Sequence, residues 1–428
     1  PPPFVFTLTP HSEMLRSLVG SEMCIRVRSS FSLLISVMLV WAANGLCFTL
    51  LALRMNIEGF DTTDIGLVTT GYFFGQLLGA IFFGKIIQQV GHVRAFAAFA
   101  SLLSASVIGY VFYIDLLVWI CIRIVHGMCV AGLLMVVESW LNGSVSNNGR
   151  GRLLALYTVI QSLSMSMGQQ LLNLEEPTSF ILFAIASICF SLALLPLVLS
   201  RSVTVAEVVP SRLKLKELTK VSPLGVLGSM GSGALVSILI GLSPIYLENI
   251  SLPFSEIALF MSVIIFGGLI VQYIVGRASD IFDRRSIITV ALFSGGTLCL
   301  IMSLMSGFSF WILLSLTTVY SGIAFAIYPL SVGHANDFLA PDDLVPASAG
   351  LIMAMAIGAT VGPLITTICM EYFGGSGFFF LSGIICFVTG CFAIFRMTRR
   401  AAPDITDQGP YVLLSRTTAA SVELDPRA

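Results

Sequence analysis

Apolar residues in this chain come in long uninterrupted blocks, not in the alternating or three-to-four-residue pattern of half-buried soluble elements. A spanning helix takes about 20 mainly apolar residues. Twelve such blocks occur, at roughly 31–53, 64–84, 93–113, 116–138, 153–173, 178–199, 223–247, 255–276, 286–306, 309–332, 344–369 and 377–396. Most connections are short. The long internal one, 200–222, holds Arg201, Arg212, Lys214, Lys216 and Lys220 and divides the blocks six and six. The pattern predicts an all-α polytopic membrane protein of two six-helix bundles, 30–199 and 223–397, joined by a basic linker. Residues 1–29 lack the continuous apolar core and small-residue cleavage site of a signal peptide. They read as a non-native or disordered segment. The polar tail 398–428, with Pro403, Pro410 and Pro426, reads as a disordered end.

Charge gives the blocks a direction. Basic residues stay on the cytoplasmic side of a membrane protein. With the N-terminus placed there and twelve crossings, 20 of the 22 Lys and Arg fall on that side. Arg54 faces outside and Arg123 lies within a span. The outer loops carry Glu58, Asp61, Asp115, Glu175, Glu176, Glu248 and Glu371. Both ends are therefore expected in the cytoplasm. One loop breaks the pattern: His334 to Pro346 should be cytoplasmic, yet it holds Asp337, Asp342 and Asp343 and no basic residue.

Composition agrees. Hydrophobic residues make up 56% and charged residues 11%, against about 25% charged in a soluble domain. A soluble enzyme, a nucleic-acid binder and a disordered chain are excluded on these grounds. Eight of the nine cysteines lie in apolar runs, with no C-x-x-C and no Cys/His cluster. Neither a metal site nor a cofactor is expected. No G-x-x-x-x-G-K-[ST] occurs, so ATP drive by this chain is not expected.

The halves also look alike. A shift of 192 residues maps Gly75 and Gly84 onto Gly267 and Gly276, and the first block onto the seventh. Duplicated six-helix halves are common in transporters. In the second block Gly71, Gly75 and Gly79 recur every four residues. Such a small-residue stripe serves close helix packing or a surface on which two bundles rock. The eleventh block carries Gly358, Gly362 and Pro363, which mark a bend or close packing.

Polar groups inside the blocks are candidates for a solute path, since lipid offers them no partner. Arg123 lies eight residues past Asp115, about 12 Å deep and near the midplane. Burying arginine there costs roughly 2.5–3.5 kcal/mol, so it should face the protein interior. It is either a functional charge or a structural one bonded within the bundle. His126 lies near the same face, as a packed neutral ring or a proton relay. Glu138, about 34 Å along that helix from Asp115, falls near the cytoplasmic boundary. It is either an interfacial acid paired with Arg94, Arg150 or Arg152, or a gate or protonation site. Asn44, Gln76, Gln161, Gln169, Gln170, Tyr246, Gln272, Tyr320 and Tyr328 complete the set, as cavity lining or as interhelical hydrogen bonds.

Two loops then suggest a family. GRASDIFDRRS, from Gly276 to Ser286, and GKIIQQVGHVR, from Gly84 to Arg94, resemble the paired signature G-x-x-x-D-x-x-G-[RK]-[RK] of the major facilitator superfamily. In the first copy Gly84 and Gly91 match, with Gln88 at the acid position. In the second, Gly276, Asp280, Arg284 and Arg285 match, with Asp283 at the second glycine. Within the second loop, Asp280 and the arginines form either a gating group or a topological anchor. The run from Arg123 to Ala131 is similar to the superfamily motif R-x-x-x-G-x-x-x-[AG]. ESWLN (Glu138 to Asn142), RGRLLALY (Arg150 to Tyr157), YPLSVGHAND (Tyr328 to Asp337) and SAGLIMAMAIGATVGP (Ser348 to Pro363) resemble its YcaD-like branch.

The resemblance implies a twelve-helix fold of two pseudo-repeats in the cell membrane, the inner membrane of a bacterium. It implies secondary active transport of a small-molecule substrate by a monomer, with protons as coupling ion and export as the direction. Spans 1, 4, 7 and 10 would line the path, which favours Asn44, Arg123, Tyr246 and Tyr320. Arg123 would hold an anionic group or tune a protonation site, and Glu138 or His126 would carry the proton. A passive facilitator or channel, and an uptake symporter, remain alternatives. A sensor would normally carry a soluble signalling domain, and a membrane enzyme clustered His or Asp/Glu within the spans; neither feature is present, and no catalytic residue is expected.

Overall fold

The computed structural model describes residues 10–144, 150–199, 215–305, 307–339, 343–399, 408–409 and 411–412; the side chains of 10–31, 142–144, 150–152 and 345 are not described. The reading of 1–29 as non-native, most of the linker's basic residues and most of the tail therefore lie outside the described residues.

Twelve long helices follow one another: α1 (Pro10–Ile57), α2 (Thr62–Val90), α3 (His92–Phe112), α4 (Leu116–Ser144), α5 (Arg150–Gln170), α6 (Phe180–Val198, interrupted at Ala193), α7 (Pro223–Asn249), α8 (Phe254–Ala278), α9 (Arg284–Leu304), α10 (Phe310–Asn336), α11 (Leu344–Phe373) and α12 (Ser376–Arg399). Eleven are long and apolar enough to cross a membrane. The other is α5, whose Gln161, Ser162, Ser164, Ser166, Gln169 and Gln170 make it more polar. Four of those residues, Gln161, Ser164, Ser166 and Gln169, are buried within the protein. Gln169 accepts a hydrogen bond from Thr49 of α1 at 2.5 Å. In the linker a short helix, Leu215–Val221, tucks Leu218 against Gly350 of α11.

Each half is held by close backbone approaches, and the two halves use the same ones. Within the first, a side chain at Gly75 would strike the Ile124 carbonyl, and one at Gly127 the Tyr72 carbonyl, so α2 and α4 touch backbone to backbone. In the second half Gly322 of α10 lies against Val271 and the Gly268 carbonyl of α8, and Gly268 lies against the Ser321 and Phe325 side chains. Gly45 and Gly168 join α1 to α5 as Gly233 and Gly358 join α7 to α11, where Gly362 also abuts Ala234. The pseudo-repeat seen in sequence is thus a repeat of contacts. The stripe Gly71, Gly75 and Gly79 belongs to this packing: it faces Ile120, Ile124 and Met128 of α4 inside one bundle, and is not a surface on which the bundles rock. Gly358 and Gly362 serve close packing in the same way, and Pro363 follows them inside α11. Gly75→Val should drive α2 off α4 and destabilise the fold by about 2 kcal/mol or more. Thermal melting of the purified variant in detergent checks this, and an unchanged midpoint would count against the contact.

Between the halves, the contacts lie on the side away from the basic residues. Ser166 of α5 donates to the Ser262 carbonyl of α8, and Ser262 returns the bond to Ser166, each at 2.8 Å. The Gln170 amide reaches Ser262 Oγ at 2.6 Å and the Ala258 carbonyl at 3.1 Å. Thr63 of α2 bonds Glu371 of α11, Gly66 abuts Thr367, and Gly241 of α7 abuts Thr69. These contacts seal one end of the bundle pair. Arg54 stays at that end, paired with Glu58 at 2.5 Å and donating to the Thr178 carbonyl.

The acidic loop after α10 finds its reason here. Asp337 pairs with Arg284 at 2.5 Å, with their side chains 4% and 2% exposed. A cation so buried needs a counter-charge, and the loop supplies it. The tail contains a second surprise. Gln408, Gly409, Tyr411 and Val412 lie against the α8–α9 loop, with Val412 buried. At these residues the expectation of a disordered tail gives way to a docked segment.

Candidate functional site

A cavity of about 170 Å³ lies between the halves, on the basic-residue side of the seal. From the first half come Trp41 and Phe48 of α1, Tyr72, Phe73 and Gln76 of α2, and Thr158, Gln161 and Ser162 of α5. The second half supplies mostly aliphatic groups, among them Val236, Ile240, Ile265, Ile352 and Met355, with Phe325. One wall is therefore aromatic and hydrogen-bonding and the other is greasy. No charged side chain lines the cavity.

Tyr72 organises the polar wall. Its hydroxyl accepts from Gln76 Nε2 at 3.1 Å and from Asn44 Nδ2 at 3.2 Å. Asn44 thus acts one layer behind the surface. The Tyr72 ring meets Phe48 edge-on at 4.7 Å.

Behind those two rings sits Arg123, 2% exposed. Its guanidinium lies 4.7 Å from the centroid of Phe48 and 4.7 Å from that of Tyr72. Each such contact is worth about 2 kcal/mol when desolvated, so the pair offsets an insertion cost of roughly 2.5–3.5 kcal/mol. The guanidinium is screened from the cavity by the rings that it supports. His126 lies deeper still, fully buried. Its ring is 5.9 Å from that of Tyr72 and 5.6 Å from that of Phe190, and its nitrogens have no hydrogen-bond partner among the described residues. That is the packed ring, outside the cavity wall.

The remaining candidates scatter. Glu138 is wholly buried toward the basic end and accepts from the Tyr157 hydroxyl at 3.2 Å. His92 Nε2 and Ser139 Oγ, 3.2 Å apart, tie α3 to α4 beside it. The side chains of Arg150 and Arg152 lie outside the described residues, and Arg94 is exposed. Tyr246 stacks on Phe378 at 5.3 Å and meets Phe379 at 5.0 Å. It packs α7 on α12 and does not line the cavity. Tyr320 is fully buried in the second half near Cys299, Cys386 and Ser382, again away from the cavity. Gln272 is buried and reaches the Tyr411 hydroxyl at 3.4 Å. Of the twelve polar candidates within the spans, Gln76 and Gln161 line the cavity directly. Phe48, Tyr72 and Trp41 are not among the sequence candidates, because an aromatic ring in a spanning block reads the same whether it meets lipid, protein or solute.

The loop motifs are built unequally. Gly91 sits at φ +89 between α2 and α3, a conformation that favours glycine; Gly84 has room around it, with Met135 nearby. At the matching place in the second half, Asp283 caps α9 instead, accepting from the Ser286 amide at 3.2 Å. This explains the departure from the glycine pattern. Asp280 does not pair with Arg284 or Arg285. It lies 3.5 Å from Arg277 and accepts from the Tyr411 amide at 2.6 Å. Arg284 serves Asp337, and Arg285 lies 3.8 Å from Asp283.

Comparisons with known proteins match this architecture. A family model described as Major Facilitator Superfamily matches residues 33–332 and 225–420. The chain is 28% identical over 375 residues to a protein of Escherichia fergusonii named "Uncharacterized MFS-type transporter YcaD", covering 86% of this chain and 95% of that one. A protein of the same name from Salmonella arizonae is 26% identical over 365 residues, covering 83% and 92%. Among solved structures, the nucleoside transporter NupG superposes with a TM-score of 0.74 at 13% identity, covering 87% of this chain and 99% of that one. A bacterial homolog of the human lysosomal transporter Spinster, in an inward-facing and occupied conformation, gives 0.72 at 14% identity, covering 89% and 97%. A twelve-helix pair of repeats, a cavity between them and a family model spanning nearly the whole membrane region agree: the chain belongs to the major facilitator superfamily and is a multi-pass membrane transporter.

Proposed function

We propose that this transporter exports a small, mainly apolar solute by alternating access, driven by a proton gradient. The observation that supports this most is the cavity itself: it lies between two similar halves, sealed on one side and approached from the other. With the basic side in the cytoplasm, where Lys and Arg accumulate, both termini are cytoplasmic and the state is inward-facing. Rocking the halves about the cavity exposes it to each side in turn. Each chain encloses a complete cavity, which fits a monomer.

The lining selects the solute. Five aromatic side chains and the amides of Gln76 and Gln161 suit a planar apolar body with one or two neutral hydrogen-bonding groups. Arg123 acts through Phe48 and Tyr72, holding them flat, and does not touch the solute. Glu138 is the proton-carrying group: a wholly buried acid near the basic end exchanges a proton as that end opens and closes. His126, enclosed by rings, is the weaker candidate.

A second reading is a passive facilitator, favoured by one observation: no acidic, basic or histidine side chain lines the cavity. Proteoliposome flux separates the two. A planar apolar metabolite that raises the melting temperature is first selected, then assayed with and without an imposed pH gradient. Accumulation above the outside concentration only under the gradient is the expected result. Flux that stops at equal concentrations would assign the facilitator, and no flux of any stabilising solute would sink both readings.

A further inference from the structure

One stripe of α8 is used twice. Ala258, Ser262, Ile265, Leu269, Gln272 and Gly276 are all buried and share a face, since 258 and 276 are separated by five turns of about 3.6 residues. At the sealed end the stripe seats α5, through the bonds of Ser166 and Gln170 to Ser262 and Ala258. In its middle, Ile265 lines the cavity. At the basic end α5 is absent and the docked tail takes its place. The Tyr411 ring fills the space over Gly276, and its hydroxyl meets Gln272 at 3.4 Å.

Polar contacts fasten the segment there. The Tyr411 amide donates to Asp280 Oδ1 at 2.6 Å, and Arg284 donates to the Gly409 carbonyl. Gln408 spans Asp283 and the Arg284 amide at 3.5 and 3.4 Å. Meanwhile the face of α5 that continues from Ser166 toward the basic end is open: Val159, seven residues earlier, is 37% exposed.

We propose that the segment around Tyr411 is an intramolecular wedge that holds the basic end open and must leave α8 before α5 closes on it. Closing that end brings the inner half of the α8 stripe to α5, as the outer half is already brought. Tyr411 occupies that space, and Asp280, the acid of the loop motif, is engaged by the tail. The tail therefore biases the equilibrium toward the inward-facing state. The inference rests on the alternating-access reading.

The test uses full-length protein in lipid nanodiscs, with spin labels at Gln89 and Ile281, exposed positions at the basic ends of the two halves. Pulsed electron resonance gives the distance distribution between them. A chain ending at residue 407, and the full chain carrying Tyr411→Ala, should both raise the short-distance fraction at least about threefold. Two populations in unchanged proportion in both variants, or a fall in the short one, would overturn the wedge and leave alternation standing. One unvarying distance in every chain would overturn both.

Discussion

Arg123→Leu is expected to abolish transport while the protein stays folded in the membrane. Arg123 is buried and screened from the cavity, and the rings of Phe48 and Tyr72 both rest on its guanidinium. Removing the charge removes both its burial cost and the two ring contacts that offset it, so the melting temperature should stay near that of the wild type. What is lost is the support of the aromatic wall. With the guanidinium gone, Phe48 and Tyr72 settle toward His126, and the Asn44–Tyr72–Gln76 hydrogen bonds lose their register. A fall in flux of at least about tenfold is expected, equivalent to about 1.4 kcal/mol in the rate-limiting step. Arg123→Lys should fall nearly as far, because an ammonium is not a planar group that stacks on two rings. Proteoliposome flux and thermal melting on the same preparations decide the matter. Undiminished flux in the leucine variant would remove Arg123 from the machinery.

The second large effect concerns the seal. Ser166→Cys combined with Ser262→Cys should form a disulfide on oxidation, because the reciprocal bonds place each side chain against the other's backbone. A disulfide needs Cβ atoms about 4 Å apart. Once closed, it pins α5 to α8 at the end that must open for release. Flux should drop to the level of empty liposomes and return on reduction, while each single variant stays near wild type under oxidation. Full flux through the cross-linked protein would mean that this end never opens, and the rocking of the halves would be lost as a mechanism.

Much of this molecule is legible in its amino-acid sequence. The block at 223–247 and helix α7 at Pro223–Asn249 start at the same residue, because Pro223 and the end of a basic linker mark that start chemically. The matched glycines at 75 and 267 point to a repeat; Gly75 abuts the Ile124 backbone of α4, and Gly267 meets the Thr318 side chain of α10. The loop motifs are legible as sequence, but their pairing is not: by spacing Asp280 looks like the partner of Arg284, and the partner is Asp337, 53 residues on. The local spacing of charges says nothing about which distant loop folds back.

The candidate site is the least legible part. The resemblance to the superfamily puts Tyr246 and Tyr320 on the path, and both pack within the second half. Tyr72 and Phe48, which shape the cavity, carry no mark that sets them apart from the other rings of the chain.

What the sequence alone determined is that the chain is built of long apolar helices and roughly where each begins and ends. Those properties depend on one-dimensional length, hydropathy and charge against a bilayer of known thickness. Which face of each helix meets a neighbour, a cavity or lipid was decided only by the tertiary structure. Lipid is as apolar as the protein interior, so hydrophobicity no longer distinguishes inside from outside, and the glycine approaches, the serine clasp of α5 on α8 and the tail on Gly276 become visible only when the helices are brought together.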